Sequence, residues 1–523
     1  MNAIATHARR PTELATVAVT AEDVRLGKDV LELLSTAMYV DPMVVYREYV
    51  QNAADAIDMA RANKWLAPDE GEVVIHIDAQ SRSVRIRDDG AGLSADGFLT
   101  RMVALGGSYK RGTPARGFRG VGRLAGLGHA HVLIFRSRAQ GEEVVNEVRW
   151  DGRELRAHMS DPSFDGDLAQ LVARIVQVGS RTAVDEDPKR FFEVELVRVP
   201  RGRSDKLLSV EDVSDYLTQV APVPFHADFS FGSLITEQLK VYPGFSEVRI
   251  VINGGEPLTR PHRDVIDIGG RPSKFEAPIF VEVPSHDGSS ISAVAWFLHH
   301  GYEGALSVGT LVKGLRLRAG NLQIGDAAIL EGLFTETRFN SWSVGEVHLF
   351  DARLVPNGRR DQFEQNAHYG NLLNRLVPTT RDIAHRCRTY SSRRSKLREF
   401  DFTVGAIEDR IRTVRQGAMS EAGASSAMAA AETALHKLEA IVGSKLLDSD
   451  RLGLKGRVEA IKESVASVGV ADSTGDPLVH LKADDRAFFQ RMIDLIYTHS
   501  VNHVAAKSLV DRILEGELGR VGQ

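Results

Sequence analysis

The chain has 523 residues, of which 43% are hydrophobic and 26% are charged, and its net charge is −5. These values are ordinary for a globular protein and exclude an overall basic bias toward nucleic acid. The length predicts roughly three domains. The single cysteine, Cys387, excludes a disulfide or a cysteine-based zinc cluster within the chain. The sequence shows neither a secretory signal nor an apolar run of about 20 residues, so we expect a soluble cytoplasmic protein without a membrane partner.

The first elements are helices followed by paired strands. Apolar residues recur at three- and four-residue spacing within residues 27–63, which predicts helices, with Asp41 as an N-cap and Pro42 at the first helical position. Residues 72–90 contain two segments that alternate apolar and polar side chains, as paired strands do, and more such segments lie within residues 131–199. This order predicts an α+β layered fold.

The rest of the chain divides by composition. Residues 222–233 are rich in Pro, Phe and Gly and indicate a domain boundary, and residues 236–375 alternate strands with helices, including a helix after the strand-like segment LRLRAGNLQIGD. Later residues favour helices, among them a helix at 427–442 and one long amphipathic helix at 485–514. The predicted divisions are a flexible arm at 1–20, an ATP-binding domain at 21–235, a middle domain at 236–375 and a helical region at 376–523.

One predicted helix, VVYREYVQNAADAIDMA, carries Glu48, Asn52 and Asp55. Their i, i+4, i+7 spacing places them on one helix face. An amide oxygen there is suited to Mg²⁺, and a carboxylate one turn away is suited to deprotonating a water molecule. The alternative is a solvated polar face on an ordinary helix.

Two glycine-containing segments follow. Residues 88–92, DDGAG, end a predicted strand, where Asp88 is placed to accept a hydrogen bond from an exocyclic amine such as that of adenine. The segment ARGFRGVGRLAGLG contains Gly117, Gly120 and Gly122, whose backbone N–H groups would bind phosphate. It lacks the GK[ST] ending of a P-loop. Each segment alone is also compatible with a plain turn.

Together and in this order the motifs E-x-x-x-N-x-x-D-A, D-x-G-x-G and G-x-x-G-x-G resemble the GHKL ATPase superfamily. That group includes DNA gyrase B subunits, ninety-kilodalton heat-shock chaperones, histidine kinases, and MutL and MORC proteins. The resemblance implies a two-layer α/β (Bergerat) sandwich that binds ATP and Mg²⁺. It also implies that Glu48 is the general base, that Asn52 holds Mg²⁺ and that Asp88 binds the adenine amino group.

The resemblance implies further nucleotide-binding residues. They are Asp55, Gly90, Gly92, Lys110, Gly117, Gly120, Val121 and Gly122. Residues 93–116 would form a mobile lid over the nucleotide, from which Lys110 reaches phosphate; the alternative is a solvated loop lysine.

One feature departs from the family pattern. The family carries a Gly-Thr step before a late strand, where the Thr supports the adenine-binding Asp. Phe191 and Phe192 lie near that place here, and Thr182 lies earlier, so no residue is assigned to this role.

Two segments resemble the ninety-kilodalton (HtpG-type) chaperones in particular. One is LGKDVLELLSTAMYVDPMVVYREYVQNAADAID, and the other is LFDARLVPNGRRDQFE, which follows a strand that bears basic residues. In the chaperones an arginine of the second segment reaches the γ-phosphate. The resemblance therefore implies a catalytic role for Arg360, with Arg359 as the second choice, against the alternative of two solvated turn arginines.

The sequence leaves three functional hypotheses. The first is a chaperone-like ATPase, a homodimer that remodels a protein client. The second is an ATP-gated clamp or sensor on nucleic acid, in the manner of MORC or MutL proteins and within a bacterial defence system, for which the basic stretch 386–398 would be the contact unless it is a solvated helix face. The third, a pseudo-ATPase, is disfavoured because Glu48 is present.

Overall fold

The computed structural model describes residue 31 and residues 41–104, 122–161, 163–164, 166–202, 204–444, 446–468 and 477–521. The chain divides into two compact units, residues 1–384 and residues 385–523. No helix among the described residues combines the length and the apolar character needed to cross a membrane.

The first long helix of the described chain, α1, spans Val44–Ala62. It begins two residues later than predicted, because Met43 N–H donates to the Asp41 carboxylate at 3.0 Å and the turn at 41–43 precedes the regular helix. Asp41 thus still satisfies a backbone donor at the entry of the helix. Val50 and Ile57 are fully buried, and this face packs α1 against a sheet.

Seven strands form that sheet, in the order β5-β4-β3-β6-β2-β1-β7, and only the β1–β7 pair is parallel. The strands are β1 (Glu72–Asp78), β2 (Ser83–Asp88), β3 (Val132–Arg138), β4 (Val144–Asp151), β5 (Val176–Thr182), β6 (Phe191–Val197) and β7 (Arg249–Ile252). The accompanying helices are α2 (Ala95–Val103), α3 (Gly152–Ser160), α4 (Leu168–Ile175) and α5 (Val210–Val220). One apolar core joins α1 and α5 to the sheet. The predicted α+β class is confirmed.

A second sheet of five strands has the order β10-β11-β14-β12-β13. The elements of this region are α6 (Gly232–Lys240), the two-stranded ribbon β8 (Val265–Asp267) and β9 (Pro272–Lys274), then β10 (Ile279–Pro284), β11 (Ile291–Leu298), β12 (Gly314–Ala319), β13 (Leu322–Ile324) and β14 (Val344–Leu349). Strand β7 joins the first sheet, so that sheet extends past residue 235. The division of unit 1 at residue 235 stays a prediction.

The sequence predicts a helix after LRLRAGNLQIGD, and the helical structure found there is not an α-helix. The structure has two short 3₁₀ helices there, Glu331–Leu333 and Thr337–Trp342. The Asn340 side chain accepts from Leu315 N–H at 3.0 Å and donates to the Ala327 carbonyl at 2.7 Å. These side-chain bonds to distant backbone groups replace the regular ladder of an α-helix.

A buried ionic network joins the second sheet of unit 1 to α5 and to the segment that follows α5. The Glu346 carboxylate on β14 binds Arg318 Nε at 2.6 Å and also pairs with Arg260. Arg318 Nη2 donates to the Gln219 carbonyl at 2.6 Å, and Arg260 Nε donates to the Val223 carbonyl at 3.0 Å. Burial by itself raises the pKa of Glu346, but the two guanidinium charges hold it well below its usual range. Removing one partner from such a network leaves a buried charge unpaired and costs about 3–5 kcal/mol.

Two histidines buried beside this network predict acid sensitivity. Burial lowers the pKa of His262 to about 3 and that of His348 to about 4. The unfolded chain takes up protons near pH 6.5 and the folded chain does not, so stability falls as the pH drops from about 6.5 to about 4. We expect unit 1 to lose about 2 kcal/mol of unfolding free energy per histidine between pH 7 and pH 5. Urea titrations followed by tryptophan fluorescence measure this, because all four tryptophans lie within residues 1–384.

Replacing His262 separates this effect from general acid denaturation. Its Nδ1 is buried without a hydrogen-bond partner among the described residues, and its ring packs against Phe225, Phe229 and Trp296. A His262→Phe variant should show a shallower loss of stability between pH 7 and pH 5. The exposed His76, replaced by Gln, is the control and should leave the slope unchanged. An unchanged slope in His262→Phe would contradict the assignment.

The second unit is helical. It contains the later part of α7 (Ala367–Arg415), then α8 (Glu421–Gly443), α9 (Asp448–Val468), α10 (Ala483–His499) and α11 (His503–Val521). The helix predicted at 427–442 lies within α8. The prediction of one long helix at 485–514 is wrong: Ser500 is extended, and the Asn502 side chain accepts from Ala505 N–H at 3.1 Å, which starts a new helix.

Candidate active site

The predicted catalytic carboxylate lies in a buried, basic environment. Glu48 is 4% exposed on α1. Its Oε1 lies 3.2 Å from Arg360 Nε and 3.8 Å from Arg47 Nη2. A second contact joins the same two segments: Arg47 Nη2 donates to the Arg359 carbonyl at 2.9 Å. Arg47 and Arg359 are 312 positions apart in the sequence. The site is therefore formed jointly by α1 and the loop that follows β14.

That loop presents Arg360 rather than its neighbour. The Arg360 side chain is 13% exposed and also donates to the Gln51 side-chain oxygen, whereas Arg359 is exposed. Arg360 has a φ of +56°, a left-handed conformation, and its N–H donates to the Asn357 carbonyl at 3.2 Å. The tight turn directs the guanidinium of Arg360 to α1.

The other two polar residues of the α1 motif share this helix with Glu48. Asn52 is half-buried and Asp55 is 7% exposed. Among the described residues no group of three or more His, Cys, Asp or Glu side chains is placed to hold a metal ion. A magnesium ion at Asn52 would therefore take its other ligands from phosphate oxygens and water, which is how Mg²⁺ is commonly bound.

The segment after β2 is attached to α1, because Ala91 N–H donates to the Ala56 carbonyl at 3.0 Å. Asp88 is 4% exposed, and one of its carboxylate oxygens accepts from Gly90 N–H at 3.0 Å. In the strand register Asp88 lies opposite Phe192 of β6. Thr182 lies on β5, four strand spacings from β2, or roughly 19 Å away. Thr182 therefore cannot support Asp88.

A hydroxyl group that sequence reasoning missed lies beside this segment. Ser137 on β3 is fully buried, accepts from Leu93 N–H at 2.7 Å and donates to the Phe191 carbonyl at 3.1 Å. It fixes the chain just after Gly92, whose φ of +65° and close approach to the Arg138 carbonyl leave no space for a Cβ. A lone serine in a strand gives no sequence signal of this role.

The glycine-rich segment meets Glu48 at Gly122. A Cβ built on Gly122 would lie 2.1 Å from Glu48 Oε2, so a larger residue at this position must displace the carboxylate. Beyond it, the Arg123 carbonyl accepts from the Tyr49 hydroxyl at 2.9 Å, which attaches the segment to α1. The contact at Gly122 thus brings the first and third motifs together.

A Gly122→Ala substitution tests this contact. The added methyl group must displace the Glu48 carboxylate, and we expect ATP turnover to fall by about 10²-fold, as for a catalytic group misplaced by about 1 Å. Gly179→Ala on β5 is the control, because no atom lies within 4 Å of its added Cβ. Steady-state turnover measures both variants. Wild-type turnover in Gly122→Ala would show that Glu48 does not act from this position.

Buried donors without partners lie on α1 on either side of Glu48 and on Arg123, the residue after Gly122. Among the described residues, no hydrogen-bond partner exists for Arg47 Nε, Gln51 Nε2, Arg123 Nε or Arg123 Nη2. Burial lowers the pKa of Arg123 to about 10, so its guanidinium remains charged at neutral pH. Unpaired buried donors are costly. A set made only of donors, beside a glycine that a Cβ would block, fits a polyanion such as the phosphates of a nucleotide.

Several predicted residues lie outside the described residues. They are Lys110, Gly117, Gly120 and Val121, together with residues 105–116, which are half of the predicted lid. Of that lid, the described part contains α2, in which Phe98 and Met102 are buried.

Comparisons with known proteins concern the N-terminal region that contains α1 and β2. Residues 40–165 match a family model described as "Histidine kinase-, DNA gyrase B-, and HSP90-like ATPase". The N-terminal part of the chain is thus a GHKL-type ATPase domain with the predicted two-layer fold. "Chaperone protein HtpG" of Shigella dysenteriae and of Escherichia coli K12 are each 28% identical to this chain over 142 residues. That match covers 24% of this chain and 23% of each HtpG chain.

Proposed function

We propose that this protein binds and hydrolyses ATP to ADP and phosphate and couples hydrolysis to movement of the Arg360 loop against α1. The contact that carries this proposal is the pair between Arg360 Nε and Glu48 Oε1 at 3.2 Å. This pair joins Arg360, which follows the second sheet in the sequence, to Glu48, the predicted general base on α1. A simple nucleotide-binding domain would not need the distant arginine.

Each side chain has a distinct proposed role. Asp88 accepts from the adenine amino group, and Asn52 contributes its amide oxygen to Mg²⁺, which neutralises phosphate charge when it is bound. Glu48 orients a water molecule and takes its proton. Arg360 exchanges the Glu48 carboxylate for a phosphate oxygen and stabilises the charge that develops there. This exchange releases Glu48 to act as a base only when nucleotide is present.

The biological role that we propose is chaperone-like remodelling of a protein client. It is supported by the similarity to HtpG, whose printed name is "Chaperone protein", although the similarity covers less than a quarter of that protein's length. Hydrolysis measured with an unfolded protein and with DNA distinguishes the hypotheses. Stimulation by the unfolded protein supports the chaperone role, whereas stimulation by DNA alone supports a nucleic-acid clamp.

One observation bears on the nucleic-acid alternative. Within the basic stretch 386–398, Arg393 binds Asp450 of α9 through two hydrogen bonds at 2.5 and 2.8 Å. A guanidinium held in this way contributes to packing of the helical unit rather than to a phosphate contact. This pairing of Arg393 is evidence against the stretch as a nucleic-acid contact.

The homodimer remains part of the proposal. It is tested by light scattering of the full chain with and without a non-hydrolysable ATP analogue. A mass of twice 57.4 kDa supports it, and a single-chain mass in both conditions contradicts it.

A further inference from the structure

A partly buried series of hydrogen bonds runs from helix α5 to the Arg360 loop. Arg316 on β12 donates through Nη2 to the Gln219 side chain at 3.2 Å and through Nη1 to the Gln323 side chain at 3.0 Å. Gln323 Nε2 donates to the Gly325 carbonyl at 3.1 Å. Gly325 N–H donates to the Arg360 carbonyl at 2.9 Å. Four successive hydrogen bonds thus connect α5 with the arginine at Glu48.

The last hydrogen bond of this series, from Gly325 N–H to the Arg360 carbonyl, is sterically constrained. Gly325 has a φ of +67°, and a Cβ on it would lie 2.9 Å from the Asp361 carbonyl oxygen. Only glycine allows the end of β13 to lie so close to the loop. The backbone of Arg360 is therefore held at its carbonyl by Gly325 and at its N–H by the Asn357 turn. Both restraints act on a residue whose own left-handed conformation is rarely adopted without support.

The first hydrogen bond of this series, from Arg316 to Gln219, involves a helix that packs against α1. Gln219 belongs to α5, and Leu217 and Val213 of this helix are fully buried in the core that contains α1. The Tyr46 hydroxyl of α1 donates to the Leu207 carbonyl just before α5, at 2.6 Å. The series of hydrogen bonds thus begins on a helix packed against α1 and ends on the residue that contacts Glu48.

Gln323 links the Arg316 end of this series of hydrogen bonds to the Gly325 end. It is 4% exposed, its oxygen accepts from Arg316 and its nitrogen donates to Gly325. An apolar residue there would leave a buried guanidinium N–H and a carbonyl unpaired. A glutamate would keep the acceptor for Arg316 but would place a carboxylate against the Gly325 carbonyl.

We propose that Gln323 is a positioning residue that holds the Arg360 loop, through Gly325, in register with α1 and α5. This inference rests on the proposed catalytic role of Arg360 and assigns a support to it. The side-chain hydrogen bonds of Gln323 go to Arg316 and Gly325, and not to Glu48. Loss of Gln323 should therefore impair the arginine without altering the nucleotide pocket.

The test compares Gln323→Leu with Arg360→Ala and with the double variant. We expect Gln323→Leu to lower kcat about tenfold or more, to leave the affinity for a non-hydrolysable ATP analogue within about twofold, and to add no further loss to Arg360→Ala, because residues that act as one unit are not additive. Gln177→Leu, at an exposed position of β5, is the control. An additive loss in the double variant, or unchanged kcat in a folded Gln323→Leu protein, overturns the proposal.

Hydrogen exchange provides a readout that does not depend on hydrolysis. In Gln323→Leu, amides of residues 355–364 and the Gly325 amide should exchange faster, while those of α1 keep their protection. If Gln323→Leu does not fold, as judged by tryptophan fluorescence, Gln323→Glu is measured instead with the same expectations. If the wild type does not hydrolyse ATP, the proposed function fails. The exchange result then still decides the positioning role: faster exchange in the loop supports it, and unchanged exchange refutes it.

Discussion

Glutamine in place of Glu48 is expected to lower ATP turnover by about 10²–10⁴-fold, the range typical of a lost general base. Glutamine keeps the size of the side chain but does not accept a proton at neutral pH. Nucleotide affinity should remain within a few-fold of the wild type, because adenine and magnesium contacts are assigned to Asp88 and Asn52. Single-turnover hydrolysis and binding of a fluorescent ATP analogue measure the two quantities separately.

The matched control for this variant is Glu237→Gln, an exposed glutamate on helix α6. It should retain wild-type turnover. Loss of ATP binding together with hydrolysis in Glu48→Gln would show that Glu48 serves the pocket rather than the chemistry. If neither the wild type nor the variant hydrolyses ATP, the enzyme proposal is wrong. A hydrolysis-deficient variant that still binds ATP should also retain its protein partner during purification from the native host.

Alanine in place of Arg360 is expected to lower kcat by about 10²-fold or more, because it removes a charged donor from the developing phosphate charge. The structure offers a control in the adjacent residue. The side chain of Arg359 is exposed, and Arg359 contacts Arg47 through its backbone carbonyl. Arg359→Ala should therefore keep turnover within about threefold of the wild type, since a surface substitution changes little.

A lysine at position 360 refines this prediction. Lysine retains the positive charge but lacks the planar fork with which Arg360 reaches both Glu48 and Gln51. We expect Arg360→Lys to recover part of the activity lost in Arg360→Ala, but less than half of it. Equal losses in Arg359→Ala and Arg360→Ala would contradict the assignment of a single catalytic arginine. Full activity in Arg360→Ala would exclude a role for the loop in hydrolysis.

These two experiments probe different parts of the proposal. Glu48 tests whether the first sheet and α1 form a hydrolytic site. Arg360 tests whether that site needs the region beyond the second sheet. A protein that depends on Glu48 but not on Arg360 would hydrolyse ATP without coupling to the loop, which would favour a simple ATPase over a conformational machine.

The sequence by itself determined the local part of the site. Helical spacing placed Glu48, Asn52 and Asp55 on α1, and the strand-to-glycine pattern placed Asp88 at the end of β2, because both depend on neighbours within a few residues. The α+β class followed from the same periodicities. The Asn502 break in the last amphipathic segment was missed, since side-chain capping competes with a helical pattern that continues across it.

Only the tertiary structure decided which distant groups meet. It brought Arg360, rather than Arg359, to Glu48 and supplied Gln51 as a second acceptor for that guanidinium. It separated Thr182 from Asp88 by four strand spacings and placed Ser137 beside the segment after β2. Periodicity records whether a residue faces the core but not which strand becomes its neighbour, because strand order and close backbone approach are set by packing of the whole unit.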